Sequence, residues 1–543
     1  MKKVLFLFFA IPQLIFAQSI IREYRINDTL FRPQGFQAFC KLSNGDLLTT
    51  SDIWDTVAFP YHHSSVALIR MDSTGNLIWS KMIPQNLTHN YSYDAAADSS
   101  GCYLLNSGNS YTSIIHGDTS GNPTWMRHIT NSPSGYSTWA SICHAAPRGG
   151  CIVAGSHVNN SDDMLWVMKF DTAGNTVFSK GYAWAGYGIR AEYSGMEITA
   201  DGGMVFPFDV RQNSQYSGVG LLKLDSIGNL QWIHSYFDSL NRSPLTIKLL
   251  PDGGFIIGGI IFADLIWPNS SPYVFLLRTD EFGNQIWCKY YDQSCEYAGP
   301  MKRQSLILTK NGNLLYGFTF RQSNNYCNAG ELFECDTSGQ LISAVQIGGI
   351  YSDSIFISQL IQSGGKIIAS GGRATKVNVS NTYLPLWHPV TIMFDSLENS
   401  FCNKVNPVVN TFSRPLMTNQ PIITSAPGPT AFNMTLVTLQ PFQFQMDACL
   451  PTGIENPSIE NQGDISIYPN PSSADVTVNV HFTNVNTCQM YLYDVRGKLL
   501  QTNSIQNNNS FTLERKDRAV GIYFIRIVAD GQQVYAGKIV FSN

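Results

Sequence analysis

Charge is scarce in this sequence: Asp, Glu, Lys and Arg make up only 14% of its 543 residues. Aromatic residues reach 12% and there are 44 glycines, a balance low for a cytosolic helical enzyme and typical of chains built from strands and turns. The formal net charge is −4, and it becomes −6 when Lys2 and Lys3 leave with the leader described below. A negative chain of this kind is not predicted to bind nucleic acid or an anionic membrane.

Several chemical signatures are also missing. There is no Cys-x-x-Cys, which argues against a structural zinc or a thioredoxin-type site. His-Glu-x-x-His, Gly-x-Ser-x-Gly and a Walker loop are absent too. The paired histidines His62 and His63 favour a polar surface loop over a metal site. The motifs therefore predict no metal, no cofactor and no catalytic residue.

The first residues have the order of a secretory leader. Met1, Lys2 and Lys3 precede a thirteen-residue, mostly apolar run from Val4 to Phe16, and cleavage is predicted after Ala17. A run of that length is too short to span a bilayer, and no later stretch reaches about 18 apolar residues. We therefore expect a signal peptide at residues 1–17 and no transmembrane segment.

A short turn headed by Asp recurs along the chain. In its best copies, Asp is followed three residues later by Gly, then Asn, and by Trp seven residues after the Asp, as in Asp72 to Trp79. The Asp-to-Asp steps are 46, 53, 54, 55, 56 and 59 residues, long enough for about four strands each. The seven turn residues are Asp72, Asp118, Asp171, Asp225, Asp280, Asp336 and Asp395.

A second, glycine-containing turn lies between successive Asp turns. It also occurs seven times, between apolar runs that read as the two strands of a hairpin. Each unit is thus strand, Gly turn, strand, variable loop, strand, Asp turn and strand. Seven such units predict an all-β fold with a seven-bladed β-propeller over residues 18–402. Residues 20–26 resemble the strand after each Asp turn, so two closures of the ring stay open: the last unit pairs with these residues, or it uses a strand of its own.

The repeated residues favour a structural interpretation. A short Asp side chain accepts backbone N–H groups within the turn, and Gly takes the left-handed conformation. Trp79, Trp125, Trp232 and Trp287 are predicted to wedge between blades, and one Asp per turn supplies too few ligands for Ca²⁺. In its place in the blade, the turn resembles the Asp-box of sialidase-like propellers and the repeat of quinoprotein propellers. Its Asp-to-Gly spacing of three residues lies between the two and four of those families.

Because both repeated turns emerge on one face of the ring, the variable loops share the other, where binding sites usually form. Aromatic rings beside polar groups suit a sugar ring or an extended peptide. The alternative is that these side chains only fill blade interfaces or hold long loops. The candidate ligand-binding residues are Trp54, Tyr61, His62, Trp184, Tyr187, Trp267 and Trp387.

Three functions remain open at this stage. The first is binding of an extracellular glycan or protein without chemistry. The second is a surface polysaccharide hydrolase or lyase, since a propeller can assemble carboxylates from distant blades. The third is a non-catalytic structural adhesin.

The eleven cysteines all lie after the leader. Cys143 and Cys151 flank a hairpin turn and are candidates for a disulfide, while the alternative is that several cysteines are buried thiols. The further candidate pairs are Cys288 with Cys295, Cys327 with Cys335, and Cys402 with Cys449.

The repeat ends near Cys402. A Pro-, Thr- and Asn-rich stretch, residues 403–460, is interpreted either as a linker or as an edge element of the propeller. Residues 461–543 return to short alternating strands and predict a small Ig-like β-sandwich. Its notable residues are Tyr468, Pro469, Asn470, Pro471, Asp494, Gly497, Gly521 and Tyr523.

Those residues, in that order, resemble the landmarks of the type A C-terminal sorting domain of the type IX secretion system. The resemblance covers only the last 80 or so residues. It implies export by the leader, passage across the outer membrane through recognition of the tail by the secretion machinery, and removal of the tail. The implied location is the cell surface or the medium.

Overall fold

The computed structural model describes most of the chain. The described residues are 20–26, 31–55, 64–83, 90–108, 112–130, 137–158, 163–191, 195–212, 215–237, 241–262, 273–293, 305–322, 327–348, 354–363, 365–379, 382–395, 397, 404–405, 409–413, 417–419, 423–427, 430–433, 440–441, 444–449, 464–481, 488–494, 499–505, 509–529 and 532–542.

Among these residues every helix or strand element is a β-strand, so the all-β prediction is confirmed. The chain separates into two compact units, Met1–Pro451 and Thr452–Asn543. In the same described ranges, no helix is long and apolar enough to cross a membrane.

The strands run in chain order as follows. Strands β1 to β15 are Ile20–Ile26, Phe31–Lys41, Leu47–Asp55, Ser64–Met71, Leu77–Ile83, Asn90–Ala97, Gly101–Gly108, Thr112–Asp118, Pro123–Thr130, Ser137–Ala145, Cys151–Val158, Met164–Phe170, Thr176–Trp184, Gly188–Arg190 and Glu197–Ile198. Strands β16 to β29 are Met204–Gln212, Gln215–Leu224, Leu230–Phe237, Asn241–Leu249, Phe255–Phe262, Tyr273–Thr279, Gln285–Gln293, Ser305–Leu308, Leu314–Gln322, Cys327–Cys335, Leu341–Gly348, Ser354–Ser363, Lys366–Val379 and Thr382–Phe394. Strands β30 to β36 are Lys404–Val405, Val409–Ser413, Met417–Asn419, Ile423–Pro427, Thr430–Asn433, Gln440–Pro441 and Phe444–Cys449. Strands β37 to β43 are Asp464–Tyr468, Val476–His481, Cys488–Tyr493, Leu499–Ile505, Asn509–Leu513, Gly521–Ala529 and Gln532–Phe541.

In the first unit, consecutive strands pair in antiparallel order to form seven sheets within the described ranges. Sheet 1 contains β2 to β5, sheet 2 β6 to β9, sheet 3 β10 to β13, sheet 4 β14 to β18, sheet 5 β19 to β22, sheet 6 β23 to β26, and sheet 7 β27 to β29. The first strand of sheet 4 is interrupted, so that β14 and β15 both pair with β16.

Neighbouring sheets pack through their apolar faces. Contacts run from β2 to β6, β6 to β10, β12 to β14, β17 to β19, β19 to β23, β24 to β27, and from β27 back to β2. A buried apolar cluster lies at each of these seven junctions. A single sheet would expose both apolar faces, whereas this closed series of contacts buries them.

Strand β1 completes sheet 7. It pairs antiparallel with β29, with Ile20 opposite Met393 and Glu23 opposite Val390. Of the two closures that the sequence left open, the structure has the pairing of the N-terminal strand with the last repeat. The Tyr24 hydroxyl on β1 also donates a hydrogen bond to the Gly75 carbonyl of sheet 1 at 2.8 Å, which joins the two ends of the series.

In sheets 1 to 5, the strand after the Asp turn reaches over the Asp turn of the next sheet. Gly121 packs directly under the Trp79 ring, and Gly283 lies in the same way against Trp232. There is no room for a Cβ at these glycines, whose φ values of 75° and 84° also favour glycine. The prediction that the repeated tryptophans wedge between sheets is confirmed.

Seven further strands, β30 to β36, lie between the last repeat and the second unit. Each joins one of the seven sheets as an additional antiparallel strand, so that the sheets have more than the four strands of the sequence repeat. We call β30 to β36 the outer strands.

Two of the candidate disulfides are not formed, and the alternative interpretation, buried thiols, holds for them. Cys143 and Cys151 are buried free thiols, and so is Cys335, a member of the Cys327–Cys335 candidate pair. Cys143 stands opposite Val153, so it is a diagonal neighbour of Cys151, not its direct partner. Cys295 and Cys402 lie outside the described residues.

The second unit consists of two sheets. One contains β37, β38 and β41, and the other β40, β39, β42 and β43. A buried cluster that includes Val478, Met490, Ile525 and Phe541 fills the space between them.

Candidate functional site

The two repeated turns of each sheet lie at one end of its strands, and we call this end the turn face. Its polar side chains are tied together in a repeated way. The Arg70 guanidinium contacts the Asp46 carboxylate of the Gly turn at 2.6 Å, and at the matching place in sheet 2 His116 Nε2 lies 3.1 Å from Ser100 Oγ. Because the residue two positions before the turn Asp contacts the Gly turn in both sheets, we assign these groups to turn stability.

The opposite end of the strands carries the variable loops and is called the loop face. Of the predicted ligand-binding residues, only Trp184 and Tyr187 have described side chains. Trp54 lies near the end of β3 and Trp387 lies in β29, with only their backbones described. The remaining predicted residues, Tyr61, His62 and Trp267, fall outside the described residues.

Trp184 and Tyr187 form an aromatic pair at the loop face. Trp184 ends β13, and the Tyr187 N–H donates to the Trp184 carbonyl at 3.0 Å, which closes a tight turn. The two rings stack with centroids 4.2 Å apart and an interplanar angle of 28°. Both rings are half-buried, and Trp184 also contacts Phe237 of sheet 4. The pair therefore lies across the junction of sheets 3 and 4.

A cluster of charged side chains lies beside this pair. Gly188, the residue after Tyr187, packs so closely on Asp163 that an added Cβ would lie 3.1 Å from its Oδ2. Arg190 Nε contacts that same oxygen at 2.5 Å. Arg190 is also the cross-strand partner of Asp209, whose Oδ2 lies 3.8 Å from Arg211 Nη2. We call Asp163, Arg190, Asp209 and Arg211 the charged cluster.

Burial makes the charged cluster unusual. Asp209 is 1% exposed and Asp163 is 7% exposed. Buried carboxylates are rare in proteins unless they are paired, and here each lies near a guanidinium. The arrangement presents carboxylate acceptors and guanidinium donors in a partly dry setting, which suits hydrogen bonding to a polar ligand.

The cluster is not a constant part of the repeat. In the strand register, the positions that match Asp209 in the other sheets are Asp52, Ser107, Ser156, Ile260, Thr319 and Gly372. Only Asp52 among them is acidic, so the turn-and-strand pattern does not require an acid at this position. Sequence reasoning missed Asp163, Asp209 and Arg211; the available signal was an acid inside the apolar run of β16.

His157 is the buried histidine nearest to Asp163 in the strand register. It ends the β11–β12 pairing opposite Met164, the residue after Asp163. Burial lowers its pKa to about 4, and its Nδ1 lies 2.8 Å from Thr138 Oγ1. At neutral pH the imidazole is therefore uncharged and adds no positive charge to this part of the loop face.

The described ranges contain no group of three or more His, Cys, Asp or Glu side chains placed to hold a metal ion. The turn carboxylates are used within their own turns: Asp225 Oδ1 accepts the N–H groups of Ile227 and Asn229 at 3.0 and 2.7 Å.

In the second unit, the Tyr468–Pro471 segment lies along the last strand. The Asn470 amide donates to the Lys538 carbonyl at 2.7 Å and its Oδ1 accepts the Val540 N–H at 2.8 Å. The Ser472 N–H donates to the Val540 carbonyl at 2.9 Å. These bonds occupy the outer edge of β43, which would otherwise be open to another strand.

Tyr523 connects the segment before β42 to the end of β43 in the same unit. Its hydroxyl donates to the Ala519 carbonyl at 2.9 Å, and its ring meets Phe541 edge-on at 5.4 Å. Gly521 begins β42, and Asp494 follows β39. Gly497 lies outside the described residues.

A known protein family matches the second unit of the chain. Residues 466–542 match the family described as "Secretion system C-terminal sorting domain". No curated protein matches the chain.

Solved structures share only distant likeness with the chain. An α-L-arabinofuranosidase, Arb93A from Fusarium graminearum, is 12% identical with a TM-score of 0.38, covering 69% of this chain and 98% of its own. The polysaccharide lyase Uly1 is 10% identical with a TM-score of 0.39, covering 69% and 92%. A protein of unknown function from Dyadobacter fermentans is 9% identical with a TM-score of 0.34, covering 70% and 99%.

Proposed function

Since residues 466–542 are a type IX secretion sorting domain, which sends the chain to the cell surface or the medium and is cleaved, we propose that the chain is an exported glycan-binding protein. The sorting domain also implies an interaction with the secretion machinery. The glycan is held on the loop face of the first unit, at the Trp184–Tyr187 pair and the charged cluster.

We also propose that the first unit is a seven-bladed β-propeller, with one sheet per blade. The closed series of seven sheet contacts supports this assignment, as does the pairing of β1 with β29. In such a fold the loops of all blades converge on one face, which is where a shared ligand surface forms.

The observation that carries the glycan proposal is the placement of stacked rings directly beside buried ion pairs. A sugar ring offers apolar C–H faces that stack on aromatic rings, and hydroxyl groups that pair with carboxylates and guanidinium groups. Both kinds of group occur together at the junction of sheets 3 and 4. An extended peptide would instead gain most from an open strand edge. The outer edge of each described sheet, formed by the strand after the Asp turn or by β1, is already paired with an outer strand.

The test is binding of the purified mature protein to a glycan and polysaccharide array, followed by titration of each positive ligand. Trp184→Ala and Arg211→Gln are expected to weaken binding at least tenfold, which corresponds to about 1.4 kcal/mol. Phe282→Ala is the matched control, because Phe282 is an aromatic residue on the turn face and is 61% exposed. Unchanged affinity in both loop-face variants, or equal loss in the control, would contradict the proposal.

The second candidate function is hydrolysis or elimination on a polysaccharide. The observation that favours it is the presence of two carboxylates, Asp163 and Asp209, in one cluster. A glycosidase places two carboxyl groups on either side of the scissile bond. Release of product from any array-positive polysaccharide, abolished by Asp209→Asn, would favour this function over binding alone.

A further inference from the structure

We infer that the outer strands β30 to β36 form a continuous belt that holds the ring closed from outside and stays with the mature protein after the sorting domain is removed. The sequence allows two interpretations of residues 403–460, a linker or an edge element of the propeller. Each of the seven sheets pairs with one strand from this segment, which favours the edge element.

The order of the pairings defines the belt. Strand β30 joins sheet 6, β31 sheet 5, β32 sheet 4, β33 sheet 3, β34 sheet 2 and β35 sheet 1. The last outer strand, β36, then joins sheet 7. The segment therefore visits neighbouring sheets one after another, in the direction opposite to that in which the chain built them, and covers the full ring.

The spacing of the outer strands fits this path. Successive outer strands begin between four and ten residues apart, from Lys404 to Phe444. At roughly 3.3 Å per residue, an extended step of this size reaches about 13 to 33 Å. Pro407, Pro415 and Pro421 stand in the sequence between the first four outer strands and limit the length of each.

Each outer strand pairs with the strand that follows the Asp turn. Ser413 stands opposite Lys289 and Val409 opposite Gln293 on β22. Ile423 stands opposite Trp184 on β13. These strands would otherwise present a row of unpaired N–H and C=O groups to other chains.

The last strand of the belt pairs with the first strand of the first unit. Strand β36 pairs antiparallel with β1, with Cys449 opposite Ile21 and Phe444 opposite Ile26. Strand β1 therefore lies between the last repeat on one side and the last outer strand on the other. Removal of the chain from residue 404 onward would expose seven sheet edges and leave β1 held from one side only.

Amide hydrogen exchange on the full chain tests the pairing directly. The alternate amides of β13, β18 and β22 that do not bond to the preceding strand are expected to exchange at least about 100-fold more slowly than unstructured amides. Exchange of these amides at the unstructured rate in the wild-type protein would overturn the belt, whatever the stability of any variant.

Variants then separate backbone pairing from side-chain effects. Thr411→Pro and Ser425→Pro remove one N–H each from β31 and β33, whereas Thr411→Ala and Ser425→Ala keep it. The Pro variants are expected to raise exchange at least tenfold in the paired strands β22 and β13, and the Ala variants less than twofold. Equal exchange in the Pro and Ala variants would count against the pairing.

The mass of the exported protein tests the second half of the inference. When the full chain is secreted by a host with this export system, the C-terminal peptide of the mature protein is expected to include Cys449. A mature protein that ends before residue 444 would show that the belt, or its last strand, leaves with the sorting domain. Failure of glycan binding would not affect either readout.

Discussion

At the scale of single residues, the turn Asp illustrates how one side chain fixes a local conformation. Asp225 Oδ1 accepts two backbone N–H groups while Oδ2 accepts the Asn229 amide at 2.8 Å. Burial raises the pKa of this carboxyl, but the hydrogen bonds from Asn229 and Ile227 outweigh it, so the pKa lies below its usual value. Stability from this group is present above the unfolded pKa and is lost as the pH falls through the folded one.

Buried histidines add acid sensitivity at higher pH. The unfolded pKa of His157 is near 6.5 and burial lowers the folded pKa to about 4, so the unfolded state binds the proton first. Its contribution is present above pH 6.5 and is lost as the pH falls toward 4. We expect the free energy of unfolding to fall by up to about 3 kcal/mol across this range from His157 alone.

Urea unfolding at pH 7 and pH 4.5 checks this expectation. His157→Gln should reduce the difference between the two pH values, whereas His144→Gln, a half-buried residue that contacts the neighbouring Ala145 carbonyl, should leave it unchanged. The same difference in wild type and His157→Gln would mean that other groups cause the acid sensitivity.

At the scale of elements, β43 of the sorting domain shows how a loop replaces a missing strand. The Asn470 side chain satisfies one carbonyl and one N–H on the edge of β43, and Ser472 extends the pattern. This gives the Tyr468–Pro471 motif a physical role that needs no contact with the machinery. An edge left open in the periplasm would invite pairing with another chain.

The Asn470 side chain is expected to stabilise the second unit through its two bonds to β43. Asn470→Ala is expected to lower the free energy of unfolding of the second unit by about 1 to 3 kcal/mol, because two hydrogen bonds are lost. Export of the full chain should fall in parallel, as measured by its amount in the medium and at the surface. Ser473→Ala, an exposed neighbour, serves as the control; unchanged stability with lost export would instead place Asn470 in contact with the machinery.

At the scale of the whole molecule, closure depends on contacts between the first and last strands. Glu23 on β1 is 2% exposed and lies 3.8 Å from the Arg373 guanidinium of sheet 7. The Tyr24 hydroxyl bonds to Gly75 of sheet 1, as the Tyr236 hydroxyl bonds to Gly283 between sheets 4 and 5. The closing junction thus uses the same hydrogen bond as an internal junction.

This equivalence can be measured. Tyr24→Phe and Tyr236→Phe each leave a buried carbonyl without its donor, so both are expected to cost about 1 to 3 kcal/mol in urea unfolding. The Tyr24 hydroxyl also lies 3.1 Å from Thr391 Oγ1 within sheet 7, so a loss for Tyr24→Phe that exceeds the loss for Thr391→Val would mean that the ring is closed in solution. A loss for Tyr236→Phe with none for Tyr24→Phe would mean that the junction between sheets 7 and 1 is open.

The sequence predicted the repeated parts of this architecture because the repeat amplifies weak signals. Gly75, Gly121 and their equivalents recur with Asp and Trp at a fixed spacing, so the strands between them follow. The sequence did not predict the individual outer strands, since elements of two to six residues are too short to show a periodic pattern. Asp209 and Arg211 were missed for another reason: Arg190 lies on β14 and its ion-pair partner Asp163 lies just before β12, and only the strand register brings this pair to β16.

The path of the belt determines at which end of the sheets the chain leaves the first unit. Strand β29 runs toward the turn at Asp395, and β1 begins beside the end of β29, with Ile20 opposite Met393. Because Cys449 stands opposite Ile21, the first and the last strand of the first unit, β1 and β36, begin and end respectively at the turn face. Chain that continues beyond Cys449 therefore leaves the first unit at its turn face, the end of the sheets opposite the Trp184–Tyr187 pair. A pulling force applied through that connection would load the turn end of sheet 7 first and the aromatic pair last.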